Sequence, residues 1–231
     1  MATSRLSADL AADLAQVSVE KTGGTEAHAA LKSFRATGST KVGDKQIEFI
    51  LYAARPRSVR IETVGEKGSL VRSFDGVHAP WKKDDPAQPP RRLGRAEEKD
   101  FILDADFDSP LYDYQARKIS LDHAGTVVIE GKTYHKLLAN LRFTDLVTLY
   151  LDAETMLLVR RDVRKSVRGQ AVVLETHYGD FTEVEGVRLP RRIRTQVEGR
   201  VLHETVIEDY RANPSLPADF FAPPAKNWPG F

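Results

Sequence analysis

Three aspartates, Asp104, Asp106 and Asp108, have the spacing of the first three ligands of a calcium-binding loop. A loop of that type needs glycine at its sixth position for a sharp turn, and glutamate at its twelfth to bind the ion through both carboxylate oxygens. The sequence has Ser109 and Gln115 at those positions. The match fails where the geometry is strictest, so we expect the start of an acidic helix instead of a calcium site.

Histidine is the other residue type to consider for a metal site, because the chain has no cysteine. The six histidines are dispersed, at His28, His78, His123, His135, His177 and His203. None forms the HExxH pair that holds zinc on one helix face, and zinc ligands are usually set closer together. We therefore expect structural or surface histidines, with no metal and no cofactor.

The short motifs that organise common catalytic sites are also missing. The sequence contains no GxSxG nucleophile elbow, no GxGxxG dinucleotide loop and no phosphate-binding P-loop. Without cysteine there is no thiol nucleophile either. We expect a protein that is not an enzyme and has no catalytic residues.

Charge gives no overall attraction to nucleic acid, because 34 basic residues balance 33 acidic ones for a net charge of +1. Two stretches, 160–168 and 190–194, are locally basic. Their charges mostly alternate with Val163, Val167 and Ile193, as on the solvated face of a strand. We expect no nucleic-acid partner, and leave open a surface for anionic lipid headgroups or an acidic protein.

The length of 231 residues suits one β-rich domain, since such domains often run to roughly 200–250 residues. No apolar run approaches the roughly 20 residues that cross a bilayer. The first residues, MATSRLSADL, lack the apolar core of a signal peptide. Either the protein is cytosolic, or a leader was removed and a methionine added. The absence of cysteine does not decide between these compartments.

Helical periodicity occurs at the N-terminus and near the middle of the chain. Apolar residues recur at helical spacing in the first helix, at Leu6, Leu10, Leu14 and Val17. The glycines of 22–24 end that helix, and a short second helix is predicted in 25–34. Residues 82–100 are rich in proline and charge and predict a long mobile loop. One or two short helices are predicted in 96–114.

From about Arg35 apolar and polar residues alternate, which predicts β-strands. Four strands precede the loop, and the later ones cover 118–129, 132–141, 145–152, 156–165, 170–181, 187–198 and 201–211. A sheet of about eleven strands tends to curl and leave a concave face. The predicted fold class is α+β, mainly antiparallel β. It is an incomplete, half-open barrel with the N-terminal helices and a short lid helix in the concave face.

We predict a single domain over residues 1–231. Its successive parts are the N-terminal helices (1–34), the first strands (35–81), the loop and lid helix (82–117), the remaining strands (118–211) and a tail (212–231).

An ordered set of segments resembles the LolA-like group, whose members are often labelled outer-membrane lipoprotein-sorting proteins. The segments are TGG at 22–24, LKSFRATGS at 31–39, FDGVHAPW at 74–81, DFDSPL at 106–111, LYLDAETMLLVRRD at 149–162, YGDFTEVEGVRLPRRI at 178–193 and NPSLPADFFAPP at 213–224. Together they span nearly the whole chain. Residues 106–111 resemble the short mobile helix that follows the long loop in that family.

The resemblance implies an exported protein that holds acyl chains under a helical lid. We therefore expect a periplasmic carrier or binding protein for lipid or lipoprotein acyl chains, with its signal peptide absent from this sequence. We expect a monomer that makes transient membrane contact and meets inner- or outer-membrane partner proteins. Relatives with this fold also sense envelope stress. The alternative is an envelope sensor or interaction module that binds a protein partner and carries no lipid.

The candidate lipid-binding residues are the large apolar side chains of the early strands and the lid. They are Phe49, Leu51, Val59, Ile61, Phe74, Trp81, Phe101, Phe107, Leu111 and Tyr112. Each buried CH2 of a ligand contributes about 0.8 kcal/mol, and release requires a pocket that closes on its own helices when empty. Ordinary core packing is the alternative for each residue. If the lid prediction holds, Asp at position 107 or 111 weakens lipid binding without unfolding the sheet.

Overall fold

The computed structural model describes residues 2–65, 68–141, 146–167, 169–224 and 228, and only the backbone of residues 2–6, 104, 166 and 167. Its helices are α1 (Ala2–Lys21), α2 (Gly24–Ala30) and α3 (Arg95–Asp104). Both predicted N-terminal helices are present, but α2 ends at Ala30, so the prediction that it continues to residue 34 was wrong: the first strand already begins at Ser33. The buried stripe of α1 consists of Ala11, Leu14, Ala15 and Ser18. Leu10 is 42% exposed, so the predicted apolar stripe was wrong at that position. The side chain of Leu6 is not among those that the structure describes.

In the described part of the chain, thirteen strands form one mostly antiparallel sheet. They are β1 (Ser33–Val42), β2 (Lys45–Ala54), β3 (Ser58–Gly65), β4 (Gly68–Phe74), β5 (Trp81–Lys83), β6 (Arg91–Arg92), β7 (Ser120–Ile129), β8 (Lys132–Asn140), β9 (Leu146–Asp152), β10 (Leu158–Val167), β11 (Gln170–Val184), β12 (Val187–Val197) and β13 (Arg200–Ala212). Their order is β6-β5-β4-β3-β2-β1-β13-β12-β11-β10-β9-β8-β7. The sheet is not closed, because β6 and β7 stand at opposite ends of this order. The predicted α+β class with an open antiparallel sheet is confirmed.

The hairpin between β11 and β12 illustrates how the sequence sets the register. Glu185 and Gly186 form its two-residue turn, with φ of 47° and 79°. Positive φ at both positions is the geometry whose twist matches that of the flanking strands, and glycine adopts it at little cost. Val184 and Val187 pair directly across the turn.

The middle of the chain corrects two predictions. Residues 82–100 are not one long loop, because they contain most of β5, all of β6 and the start of α3. The proline and charge of this stretch gave no strand pattern in the sequence, and with these two short strands the described residues contain thirteen strands instead of about eleven. The prediction of an acidic helix start at Asp104 was also wrong. Helix α3 ends there, and residues 106–111 form bends and turns in place of the short helix that the resemblance implied.

Residue contacts divide the chain into two compact units, and the single domain stays a prediction. The first unit comprises Met1–Ala30 and Ser109–Thr205. In it α1 packs against β7, and the Ser7 hydroxyl donates a hydrogen bond of 2.9 Å to the carbonyl of His123. Its core includes Leu121, Leu137, Ala139, Val147, Leu149 and Leu151. The second unit comprises Leu31–Asp108 and Val206–Phe231, and contains β1–β6 and α3.

Candidate functional site

One side of β2, β3 and β4 brings four predicted pocket residues together, and we call it the apolar face. Val59 lies directly opposite Phe74, and Leu51 directly opposite Ile61. Residues directly opposite in an antiparallel pair project to the same side of the sheet. Val59 and Phe74 are buried, and Leu51 and Ile61 are partly buried against them. The alternation that predicted these strands therefore also produces this face.

Helix α3 covers the apolar face through Phe101 and Ile102, together with Ala105 directly after it. Leu93, just before the helix, completes the cluster. We call residues 95–108 the covering segment. Phe101 was predicted, whereas Leu93 and Ile102 were missed. The spacing of Glu98, Phe101, Ile102 and Ala105, all buried, is the helical stripe that could have found Ile102.

Phe107 lies near the end of the covering segment and packs on the same side of the sheet. Its ring centroid is 5.0 Å from that of Phe34, a β1 residue directly opposite Ala53. Ala53 is in turn directly opposite Val59, so Phe34 lies on the side that carries the apolar face. The Arg55 guanidinium stands 4.7 Å from the Phe107 centroid.

Two arginines from the β2–β3 connection hold the C-terminal end of the covering segment. Arg55 donates two hydrogen bonds to the Asp108 carboxylate, from Nε at 2.8 Å and from Nη2 at 2.6 Å. Arg57 Nε donates one to Asp106 Oδ1 at 3.1 Å. The Asp108 side chain is 8% exposed and that of Asp106 is 18% exposed. The Arg55 pair is bidentate, which strengthens it, and its carboxylate is better shielded from water than that of Asp106.

Two further ion pairs involve the N-terminal end of α3. Lys82 Nζ donates to both carboxylate oxygens of Glu97, at 2.7 and 2.9 Å, and the Gly94 amide donates to the same carboxylate at 3.2 Å. The Lys82 hydrogen bond, followed by that of Gly94, lowers the pKa of Glu97. Arg92 donates to both carboxylate oxygens of Glu98, and this hydrogen bonding raises the pKa of Arg92. Glu97 lies at the surface, so its pair weakens with salt.

A cleft of about 180 Å³ opens beside the N-terminal end of α3. Its lining residues are Ile61, Thr63, Leu70, Val71, Arg72, Lys82, Lys83, Asp84 and Glu97. Ile61 belongs both to the cleft and to the residues packed against the apolar cluster. The cleft therefore joins the apolar face to a charged rim.

Phe49 and Trp81 occupy different sides of the sheet. Phe49 is half-buried and lies two residues before Leu51, so it shares the apolar face. Trp81 lies directly opposite Ser73, the neighbour of Phe74, and therefore projects to the other side. There its Nε1 donates to the carbonyl of Phe221 at 3.4 Å. The structure does not bring Trp81 together with the cluster.

Leu111 and Tyr112 belong to the first unit, so the cluster of the second unit does not include them. Leu111 is 2% exposed. Tyr112 stacks on His28, with ring centroids 4.6 Å apart and planes 18° apart. Leu111 is therefore fully buried, and Tyr112 packs on a residue of its own unit.

In the first unit, the basic stretch 160–168 begins with an internally neutralised arginine. Arg160 Nε donates to Asp162 at 2.7 Å, and its Nη2 lies 3.1 Å from Glu175. Tyr150 donates its hydroxyl to Asp162 at 3.0 Å. Burial, followed by the charge and hydrogen bond of Asp162, raises the pKa of Tyr150 to about 12. The start of this stretch is therefore part of an ion-pair network.

The stretch 190–194 contains a second such network. Arg192 donates to Asp180 at 2.8 Å and to Glu204 at 2.6 Å. Its charge is thus matched by carboxylates of β11 and β13, which leaves less positive charge for an external partner than the sequence suggested.

Two of the aspartates that resembled a calcium loop are occupied by arginines. Asp106 and Asp108 bind Arg57 and Arg55, and the side chain of Asp104 lies outside the description. Among the described residues, no cluster of three or more His, Cys, Asp or Glu is arranged to hold a metal ion. Within the same part of the chain, no helix combines the length and apolar character needed to span a membrane.

Several solved structures have a fold similar to that of this chain. A LolA superfamily protein from Nitrosomonas europaea superposes with a TM-score of 0.64 at 15% identity, over 90% of this chain and 96% of its own. An outer membrane lipoprotein-sorting protein domain from Vibrio parahaemolyticus gives 0.67 at 10% identity, over 93% and 97%. A DUF1329 family protein from Desulfovibrio piger gives 0.61 at 14% identity, over 93% and 97%. No family model and no curated protein matches the sequence.

These matches define the fold class, to which the open antiparallel sheet and the helices described above belong. The chain has a LolA-like fold, which confirms the resemblance read from the sequence. None of the three descriptions names an enzyme.

Proposed function

We propose that this protein is a periplasmic carrier or binding protein for the acyl chains of lipids or lipoproteins. The apolar face of β2–β4 would receive the chain, and the covering segment would move aside to admit it. The LolA-like fold supports this proposal, and so does the description of the Vibrio neighbour as lipoprotein-sorting.

The observation that carries the proposal is the way in which the apolar face is covered. Phe101, Ile102 and Ala105 contribute the apolar cover, and ion pairs at both ends of the segment hold it in place. Displacing the segment would expose apolar side chains to water, and an acyl chain would bury them again at about 0.8 kcal/mol per CH2. Ligand and cover would thus compete for one surface with comparable energies, which permits both loading and release.

Native mass spectrometry and solvent extraction of protein purified without added lipid test this function. We expect a bound amphiphile, or stoichiometric uptake of a fluorescent fatty acid. A clean apo mass together with no uptake would contradict the proposal.

A matched pair of variants tests the location of the site. Phe107→Asp removes a ring packed on Phe34 and beneath Arg55, and should weaken fatty-acid binding. Phe220→Asp is the control, because Phe220 has equivalent contacts, a Tyr52 ring at 4.8 Å and the Arg60 guanidinium at 4.8 Å. Tyr52 lies one residue after Leu51 and projects to the opposite side of β2. Equal loss of binding in both variants would contradict the assignment.

The Asp variant of Leu111 is a poor test of the lid, despite the sequence-based prediction. A carboxylate placed at a position that is 2% exposed would destabilise the first unit directly. The residues of the covering segment are better targets, because they pack at its contact with the sheet.

The alternative, an envelope sensor or interaction module, would use the same fold without lipid. The carboxylates that neutralise Arg160 and Arg192 do not favour a basic docking surface on β10–β12. Absence of any bound or exchangeable amphiphile would direct attention to protein partners instead.

A further inference from the structure

The cleft beside α3 has a cation at the border of the apolar face. Arg72 lies directly opposite Ile61 on β3 and directly opposite Lys82 on β5, so all three project to the same side of the sheet. Ile61 packs against the apolar cluster, whereas Arg72 is exposed. The sequence of β4 places this cation beside apolar residues, because Leu70 and Phe74 flank Arg72 at two-residue spacing and so project to the same side of the sheet.

The basic side chains that line the cleft differ in whether a carboxylate neutralises them. Lys82 is bound by Glu97 at 2.7 Å, and Asp84 is bound by Arg91. Among the described residues, no carboxylate lies within ion-pair distance of Arg72 or of Lys83, which also lines the cleft. The rim therefore carries a surplus of positive charge beside Ile61 and Leu70.

This combination fits an amphiphile with an anionic head. A guanidinium presents several N–H donors in one plane and binds a carboxylate or phosphate through two hydrogen bonds. The adjoining apolar residues suit the first methylene groups of a chain. The volume of about 180 Å³ is below the 300–1,000 Å³ typical of pockets that enclose a whole drug-sized ligand. The remainder of a long chain would have to enter beneath the covering segment.

We propose that Arg72 binds the carboxylate or phosphate head of an anionic lipid, with the acyl chain directed from the cleft onto the apolar face. This inference rests on the proposed function and adds the class of cargo: anionic amphiphiles in preference to neutral ones. Lys83 contributes long-range attraction, and the Lys82–Glu97 pair connects the head to α3.

Calorimetric titration with decanoate, decyl phosphate and decanol tests the preference, because these probes share a chain and differ in the head. We expect the wild-type protein to bind the two anionic probes about tenfold more tightly than the alcohol, the lower end of the value of a charge-assisted hydrogen bond. Arg72→Gln should remove this preference while decanol binding stays unchanged. Arg72→Lys should retain part of it.

Arg211→Gln is the control, because Arg211 is a highly exposed arginine of the same unit, paired with Asp209 at 3.4 Å. It should leave all three affinities unchanged. Circular dichroism should be identical for the Arg72 variants and the wild type, since the residue is exposed.

The outcomes separate the two proposals. Equal affinity of the wild type for decanoate and decanol would overturn the head site and leave the carrier function standing. Binding of no amphiphile at all would overturn both. Inorganic phosphate that binds as tightly as decyl phosphate and is lost in Arg72→Gln would identify a free-anion site and overturn the lipid assignment.

Discussion

The Arg55–Asp108 pair gives the sharpest prediction about the covering segment. In Asp108→Asn the side chain keeps its shape, but the negative charge that faces Arg55 is lost. Breaking a fully buried ion pair costs about 3–5 kcal/mol, whereas an exposed pair is worth about 1 kcal/mol or less. The two side chains are 8% and 19% exposed, which places this pair between those limits. We expect the closed position of the segment to lose about 2–3 kcal/mol, or roughly 30- to 150-fold in its opening equilibrium.

Hydrogen exchange measured by mass spectrometry is the appropriate assay, because it reports local opening peptide by peptide. Peptides from 95–108 should exchange faster in Asp108→Asn, while those of β2–β4 should remain protected. Asp106→Asn is the matched control, since the Asp106 carboxylate is more exposed than that of Asp108 and its hydrogen bond from Arg57 Nε is longer, and its effect should be about fivefold or less. Unchanged exchange in 95–108, or an equal rise throughout β2–β4, would refute the view of this segment as a separable cover.

Two other predictions concern the first unit. Gly23 has φ of 126°, and a Cβ there would lie 2.2 Å from the carbonyl oxygen of Gly186, so Gly23→Ala should cost more than about 2 kcal/mol. Gly131→Ala, with φ of 79° and no atom within 4 Å of the added Cβ, should cost about 1 kcal/mol. Urea titration of both variants measures these losses of unfolding free energy, and equal losses would contradict the close approach at Gly23. Burial, followed by the charge of His135, lowers the pKa of His123 below 6.5. The unfolded chain then binds the proton more readily, so stability should fall as pH drops below about 6.5. His123→Asn should flatten that decline between about pH 7.5 and about pH 5.5, and an unchanged slope would count against it.

Most of the sheet could be predicted from the sequence, because strand period and turn chemistry agree. The stretch 170–198 predicted a hairpin, and β11 and β12 form it around Glu185 and Gly186. The cluster residues Val59, Phe74 and Phe101 could also be identified as candidates, because strand alternation and the apolar content of the 96–114 stretch point to them.

The remaining features depend on contacts between residues distant in sequence. β6 has only two residues, Arg91 and Arg92, and is defined by pairing with β5, so its own composition predicts a loop. Trp81 is apolar and buried like Phe74, but register places it on the other side of the sheet. Ion pairs such as Arg55–Asp108 join residues 53 positions apart and have no local signature.

Photoactivatable fatty acid cross-linking tests the central claim most directly, because it reports both the binding and its place. The wild-type protein is labelled with a diazirine fatty acid, with and without excess decanoate, and the labelled peptides are identified by mass spectrometry. We predict saturable labelling, competed by decanoate, in peptides that contain Leu51, Ile61, Phe74 or Phe101. Labelling that is not competed, or that is confined to other peptides, would contradict the account.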